Sequence, residues 1–433
     1  MKKYSYILMA AAILLFAGCT PGSPVSSSDS EKGEAGLNGM PADDTAPSGD
    51  HADRGDGGAD VGGDAYGDSE MPGEAGGGEA GGEPSDQQGN SQAGRVTAGE
   101  WNDLDNWEFW GKLMTGQDYA SHSAYWGFYT NNRVAVTVRN AAGIPVSGVK
   151  VSLMQNGQTV WMAQTDNLGH AECWAGLFQL DEDAANLKLK AGDVEQDAVV
   201  TSWDCPNGVA MNNILVDASP AANKADIAFI VDATGSMGDE IQFLKDDLMD
   251  ILNKVGNMQS GTSFRTGAVF YRDEGREEEY LTRVSQFSAS AAETVNFISR
   301  QDANGGGDYP EAVHIALAEG LQSLSWSEDA KTRIAFLLLD APAHHKDNVI
   351  QSLQQSVSAY AQAGIKIIPI SASGIDKSTE FMLRFFAAAT GGTYVFITND
   401  SGIGGEHIEA SVGDYEVELL NDLIVRLINK YTD

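Results

Sequence analysis

The stretch Asp226-Ile-Ala-Phe-Ile-Val-Asp232-Ala-Thr234-Gly-Ser236-Met-Gly-Asp-Glu240 constrains the fold more than any other part of the chain. Ile227 to Val231 are β-branched or aromatic apart from Ala228 and carry no polar group, the pattern of a parallel strand buried on both faces. The run ends at a carboxylate and two hydroxyls. Helical spacing follows at once, with Ile241, Leu244, Leu248, Ile251, Leu252 and Val255 on one face. The polar groups therefore stand at a strand end, where open α/β sheets bind ligands.

The same alternation continues to the C-terminus. Apolar runs predict strands at 267–271, 280–284, 334–339, 366–370 and 393–397, and helical spacing predicts helices at 289–299, 309–324, 346–363, 378–389 and 415–428. Strands and helices in alternation give an α/β fold, a doubly wound and mostly parallel sheet covered on both faces. Residues 222–433 are long enough to close one core in this way.

Asp232, Thr234 and Ser236 alternate, so an extended turn points three oxygen-bearing side chains to one place, as a hard divalent cation requires. Singly, such residues before a helix are also common caps. Two later loops repeat the theme: Gly305-Gly-Gly-Asp308-Tyr-Pro-Glu311 before a helix, and Ile334-Ala-Phe-Leu-Leu-Leu-Asp340 at the end of a second buried strand. With these loops, the Asp-x-Thr-x-Ser spacing resembles the metal-ion-dependent adhesion site (MIDAS) of von Willebrand factor A domains. The resemblance implies a cation, Mg²⁺ or else Mn²⁺ or Ca²⁺, held directly by Thr234 and Ser236 and directly or through water by Asp232 and Asp340. It also implies one open position, completed by an acidic side chain of a protein ligand.

This sequence departs from that pattern in the second loop. The family places a threonine there; here none stands in the loop, and Asp308 is the candidate. A third carboxylate would tighten the metal and weaken capture of an acidic partner. The third loop continues as Ala-Pro-Ala-His344-His345, either exposed loop residues or soft-metal ligands. Asp273 is expected in a surface ion pair with Arg272 or Arg276.

Catalysis is not expected. A nucleophile elbow needs Gly-x-Ser-x-Gly, but Ser236 sits in Thr-Gly-Ser-Met-Gly, and no Gly-Lys-Ser/Thr phosphate loop is present. His314, His344 and His407 stand in no recognisable catalytic context. The alternatives are an architectural scaffold without metal and a metal-dependent hydrolase.

Lys2 and Lys3 lead into an apolar stretch ending Ala17-Gly18-Cys19, which resembles a bacterial lipoprotein signal, residues 1–19, with Cys19 lipidated. Thr20, in place of an aspartate, leans the expectation to the outer membrane, with surface exposure open; the membrane is touched only through the anchor. Residues 20–98 are rich in Gly, Asp, Glu, Ser and Pro, a disordered acidic tether by composition. The formal charge of -35 excludes nucleic acid as a partner, since phosphate backbones need clustered Lys and Arg.

Trp101, Trp107 and Trp110 mark a connecting segment, 99–132, expected to pack on a neighbouring domain rather than to stack on sugars. From 133 to 217 short alternating runs at 134–138, 149–153 and 160–163, separated by Gly and Asn turns, predict a small antiparallel β-sandwich. It resembles the carboxypeptidase-regulatory-like and bacterial immunoglobulin-like modules, which implies a spacer. Cys173 and Cys205 lie within it, and an exported chain permits a disulfide between them.

Overall fold

The structure is a computed structural model and describes residues 93–180, 184–205, 208–257, 261–275, 278–307 and 309–433. Cys19, Asp308 and Arg276 lie outside the described residues, as do the signal segment and the tether up to residue 92.

The described chain opens with strand β1 (Thr97–Trp101) and helices α1 (Trp107–Met114) and α2 (Gln117–Trp126). Seven short strands follow: β2 (Arg133–Arg139), β3 (Lys150–Gln155), β4 (Gln158–Gln164), β5 (His170–Trp174), β6 (Leu187–Ala191), β7 (Val194–Asp197) and β8 (Met211–Leu215). They form a three-stranded sheet, β5-β2-β8, and a four-stranded sheet, β4-β3-β6-β7. Pairing is antiparallel except between β2 and β8. Val134, Val136 and Val138 of one sheet and Val151, Leu153 and Leu189 of the other share one apolar core.

Alternation of strand and helix then begins, with β9 (Ala222–Asp232), α3 (Gly238–Gly256), β10 (Ser263–Tyr271), β11 (Thr282–Ser288), α4 (Ala291–Ile298) and α5 (Val313–Gln322). It continues with β12 (Ala330–Leu339), α6 (Asp347–Gln362), β13 (Ile365–Ser371), α7 (Lys377–Thr390), β14 (Tyr394–Ile397), β15 (Glu418–Leu419) and α8 (Leu420–Thr432). The eight-stranded sheet has the order β11-β10-β9-β12-β13-β14-β1-β15. Its five central strands are parallel and its margins antiparallel. This is the expected α/β fold with a mostly parallel sheet.

The strand period of two explains why both faces are apolar. Along β9, Ile227, Phe229 and Val231 enter one core with Leu244 and Leu248 of α3 and Leu423 and Leu427 of α8. Ala228 and Ile230 enter the other with Leu317 of α5 and Val357 and Tyr360 of α6.

Residues 97–101, expected to fall across the end of the disordered tether (20–98) and the start of the connecting segment (99–132), instead form the seventh strand in the order of that sheet. Ala98 pairs with Ile397 and Trp101 with Tyr394. The strand expected at 280–284 lies at Thr282–Ser288, because Tyr280 is taken up by the guanidinium groups of Arg272 and Arg283 over its ring. The last helix starts at Leu420, since the chain just before it bonds to β1 as β15.

A buried seam joins the first helices to the large sheet. Trp110 stacks on Phe381 of α7 at 6.0 Å and Phe128 on Phe385 at 4.3 Å. Within it Arg384, fully buried, binds Asp103 at 2.5 and 2.9 Å, the Tyr119 hydroxyl at 2.9 Å and the Ser411 carbonyl at 2.7 Å. Lys366 of β13 pairs with Asp166, in the turn before β5, at 3.0 Å and donates to the Gly391 carbonyl at 2.8 Å. Trp107 and Trp110 are thus packed inside.

The Cys173 to Cys205 disulfide is not formed; both are free thiols. Pairing with Val134 on β2 turns Cys173 into the core, where burial pushes its thiol up, while Cys205 sits half-buried with its N–H donating to the Ser202 carbonyl.

Candidate metal centre

Register places the first two carboxylates side by side. In the parallel pair β9–β12, Val231 lies opposite Leu338, so Asp232 ends one strand and Asp340 follows the end of its neighbour. Both are buried. Thr234 fixes Asp232 twice, donating from its N–H at 2.9 Å and its hydroxyl at 2.7 Å to Oδ1. The Thr234 and Ser236 hydroxyls are 3.2 Å apart, and the Ser236 hydroxyl lies close enough to the Asp340 carboxyl to favour its charged form. Asp232, Thr234, Ser236 and Asp340 are therefore assembled at one place.

Two atoms in this group are orphaned. Asp232 Oδ2 and Asp340 Oδ1 are buried with no hydrogen-bond partner. Burial pushes the Asp232 carboxyl well up, the charge of Asp340 adds to this, and the Thr234 bonds only partly offset it. Asp340 is likewise raised by burial, against the Ser236 bond and with help from Glu240. Two buried carboxyls that resist ionising beside exposed Ser236 are a site short of positive charge. A divalent cation fits that deficit, and the donors are the hard oxygens it requires. Among the described residues no three His, Cys, Asp or Glu side chains converge by themselves, and the Thr234 and Ser236 hydroxyls are the further oxygen donors at this place.

The second loop is sewn to the first and third. Asn304 N–H donates to the Ala233 carbonyl at 3.0 Å, Gly235 N–H to the Gly305 carbonyl at 2.9 Å, and Glu311 N–H to the Pro342 carbonyl at 2.8 Å. Gly305 and Gly306 turn with φ of +76° and +75°, a conformation side chains resist. Glu278 accepts from the Gly306 N–H at 2.6 Å, and Arg272 holds the Ala233 and Asp302 carbonyls at 3.2 and 3.1 Å. An open cleft of about 490 Å³ results, lined by Ser236, the three glycines, Tyr309, Glu311, Asp340 and Gly374.

Several polar residues depart from expectation. Asp273 is buried and bonds His344 at 2.8 Å rather than forming a surface ion pair with Arg272. His344 is accordingly buried, and His345 stacks on Tyr125 at 3.6 Å. Two acids stand beside the site without having been singled out as ligands. Glu311 is buried in the cleft wall, and Glu240, on the first turn of α3, accepts from Ser373 N–H at 3.0 Å with His407 at 3.2 Å. The one signal for Glu240 was its place a helical turn after Ser236; for Glu311 it was the Pro310 turn that brings it back toward the glycines.

An α/β sheet with a carboxylate and hydroxyl cluster at adjacent strand ends places the site where open α/β domains bind ligands. Residues 226–405 match the model of the von Willebrand factor type A domain, and this part of the chain is such a domain. Similar curated proteins include "Alpha-protein kinase vwkA" of Dictyostelium discoideum, 31% identical over 147 residues, 34% of this chain and 23% of that protein. Another is "Putative ariadne-like RING finger protein R811" of Acanthamoeba polyphaga mimivirus, 30% identical over 139 residues, 31% of this chain and 12% of that one. The chain thus spans less than a quarter of either relative's length. Among solved structures, proximal thread matrix protein 1 of the mussel byssus, described with a zinc-occupied MIDAS motif, covers 39% of this chain and 40% of its own at 20% identity and a TM-score of 0.31. An aerotolerance-related membrane protein from Bacteroides fragilis covers 48% and 98% at 12% identity, also with a TM-score of 0.31.

Proposed function

We propose that the chain is a cell-envelope lipoprotein whose A-type domain binds a protein ligand through a divalent cation, Mg²⁺ or Mn²⁺, in adhesion or assembly and without catalysis. One observation carries the reading: the buried, unpartnered oxygens of Asp232 and Asp340 beside two hydroxyls. Thr234, Ser236, Asp232 and Asp340 would hold the cation, which supplies an electrophilic position that a ligand oxygen completes. The resemblance implies that this oxygen belongs to a Glu or Asp of the partner. Ser236 is engaged with Thr234 and Asp340, the contacts of a ligand rather than of a nucleophile awaiting a base. Anchoring through Cys19, with an outer-membrane location, belongs to the same proposal; no described helix is long and apolar enough to cross a membrane.

Calorimetric titration of Mg²⁺ into the metal-stripped full chain tests it. One ion per chain, lost in Asp232→Ala, is the expected result; no saturable binding at millimolar metal would leave the architectural reading instead.

A further inference from the structure

The second loop supplies no threonine, yet its acid Glu311 lies at the cleft. A Cβ added at Gly306 would meet Glu311 Oε1 at 3.0 Å on one side and Thr234 Cβ at 3.1 Å on the other, so one glycine separates the glutamate from the site hydroxyl. Glu311 is 2% exposed, lines the same cleft as Ser236 and Asp340, and is fixed by its N–H to Pro342 and by a bridge to Ala343 in the third loop. Beneath them the buried Tyr271 phenol feels the charges of Asp232, Asp340 and Glu311 together. The orphaned oxygens of Asp232 and Asp340 point independently to a cation there.

From this geometry we infer that Glu311 supplies the third negative charge of the site, so that its open position accepts a neutral oxygen donor, an amide or a hydroxyl, in preference to a carboxylate. The inference rests on the cation-binding reading and changes the ligand class attached to it. Asp232 and Asp340 alone balance a dication, which leaves it attractive to one more acid. With Glu311 the count is already negative, and an incoming carboxylate meets repulsion from three acids, Asp340 and Glu311 lining the cleft and Asp232 beside them. Among the described residues no three carboxylates converge as direct ligands, so Glu311 acts on the charge of the site and not as a first contact. A partner matching this site presents Asn, Gln, Ser, Thr or a backbone carbonyl, with basic neighbours suited to a chain of formal charge -35.

The test uses the full chain loaded with Mn²⁺, with water-proton relaxation reporting displacement of exchanging water by acetate or by N-methylacetamide. The native chain should take the amide and resist acetate. Glu311→Gln should bind acetate about tenfold more tightly and Mg²⁺ about tenfold more weakly, while Glu311→Asp, which keeps the charge, should stay within about threefold of native. Asp232-dependent metal binding with equal acetate affinity in native and Glu311→Gln overturns this inference alone. Loss of acetate discrimination in Glu311→Asp as large as in Glu311→Gln also overturns it. Absence of any Asp232-dependent metal binding overturns both readings.

Discussion

Buried charge is handled in opposite ways at the candidate metal centre and in the aromatic seam. Around α7, Arg384 is met by Asp103, Tyr119 and the Ser411 carbonyl, and Lys366 by Asp166 and Gly391. At the strand ends Asp232 and Asp340 face each other with an unpartnered oxygen apiece. The seam is complete within the chain, whereas the strand-end carboxylates meet no counter-charge among the described residues. Burial alone therefore does not mark a functional group; what sets the strand ends apart is two unpartnered carboxylates beside two hydroxyls at one cleft.

The strongest attempt to break this contrast is to remove the seam. Residues 222–433 expressed alone lack β1 and expose Phe381, Phe385 and Phe386, now packed on Trp110 and Phe128. We expect no cooperative thermal transition, and a sharp calorimetric peak like that of the full chain would show that the seam is dispensable. Next in size, Asp103→Ala leaves Arg384 buried with only neutral partners and the 3.5 Å contact to Glu380, and should cost about 3 kcal/mol in urea unfolding.

The remaining predictions set the two regions against each other on the pH axis. Burial alone would raise Asp166, but Lys366 and the His170 N–H outweigh it and hold the carboxyl below its usual value. Its contribution is therefore fully present above about pH 4 and is lost as pH falls through the lowered folded value. Asp166→Asn should cost about 2–3 kcal/mol at pH 7, with the deficit shrinking toward pH 3. Asp232 runs the other way. Its folded value is raised from 3.8 to about 7, so the folded state holds the proton longer and the metal-free protein loses stability as pH rises between those values. Asp232→Asn should then stabilise the metal-free chain by about 1–2 kcal/mol at pH 8 and by almost nothing near pH 4. The same substitution should abolish any rise of the melting temperature on adding Mg²⁺, which the native chain should show.

Much of the fold was legible because its signals are local. Ile227 to Val231 and Ile334 to Leu339 declare buried parallel strands within a few residues, and Asp232, Thr234, Ser236 and Asp340 follow from their ends. Strand β1 was not legible. Thr97-Ala-Gly-Glu-Trp101 has weak strand propensity, and Gly99 is there because Phe396 and Tyr415 lie over it, at 2.7 Å from where a Cβ would be. Asp273 and His344 look like loop polar residues; only their mutual bond explains their burial. Glu311 needed the fold of three separate loops to bring it beside Thr234, a juxtaposition that spacing along the chain does not encode.

Strand β1 also has a consequence in time. On the ribosome Ala98 emerges about 300 residues ahead of Ile397, its partner in the ladder. At about 5–20 residues per second that is an interval of roughly 15–60 s. Through it, the seven small strands can be made and closed while Val96 and Ala98, buried in the finished protein, have no sheet to enter. Docking of β1 between β14 and β15 therefore waits for strands made about 300 residues after it.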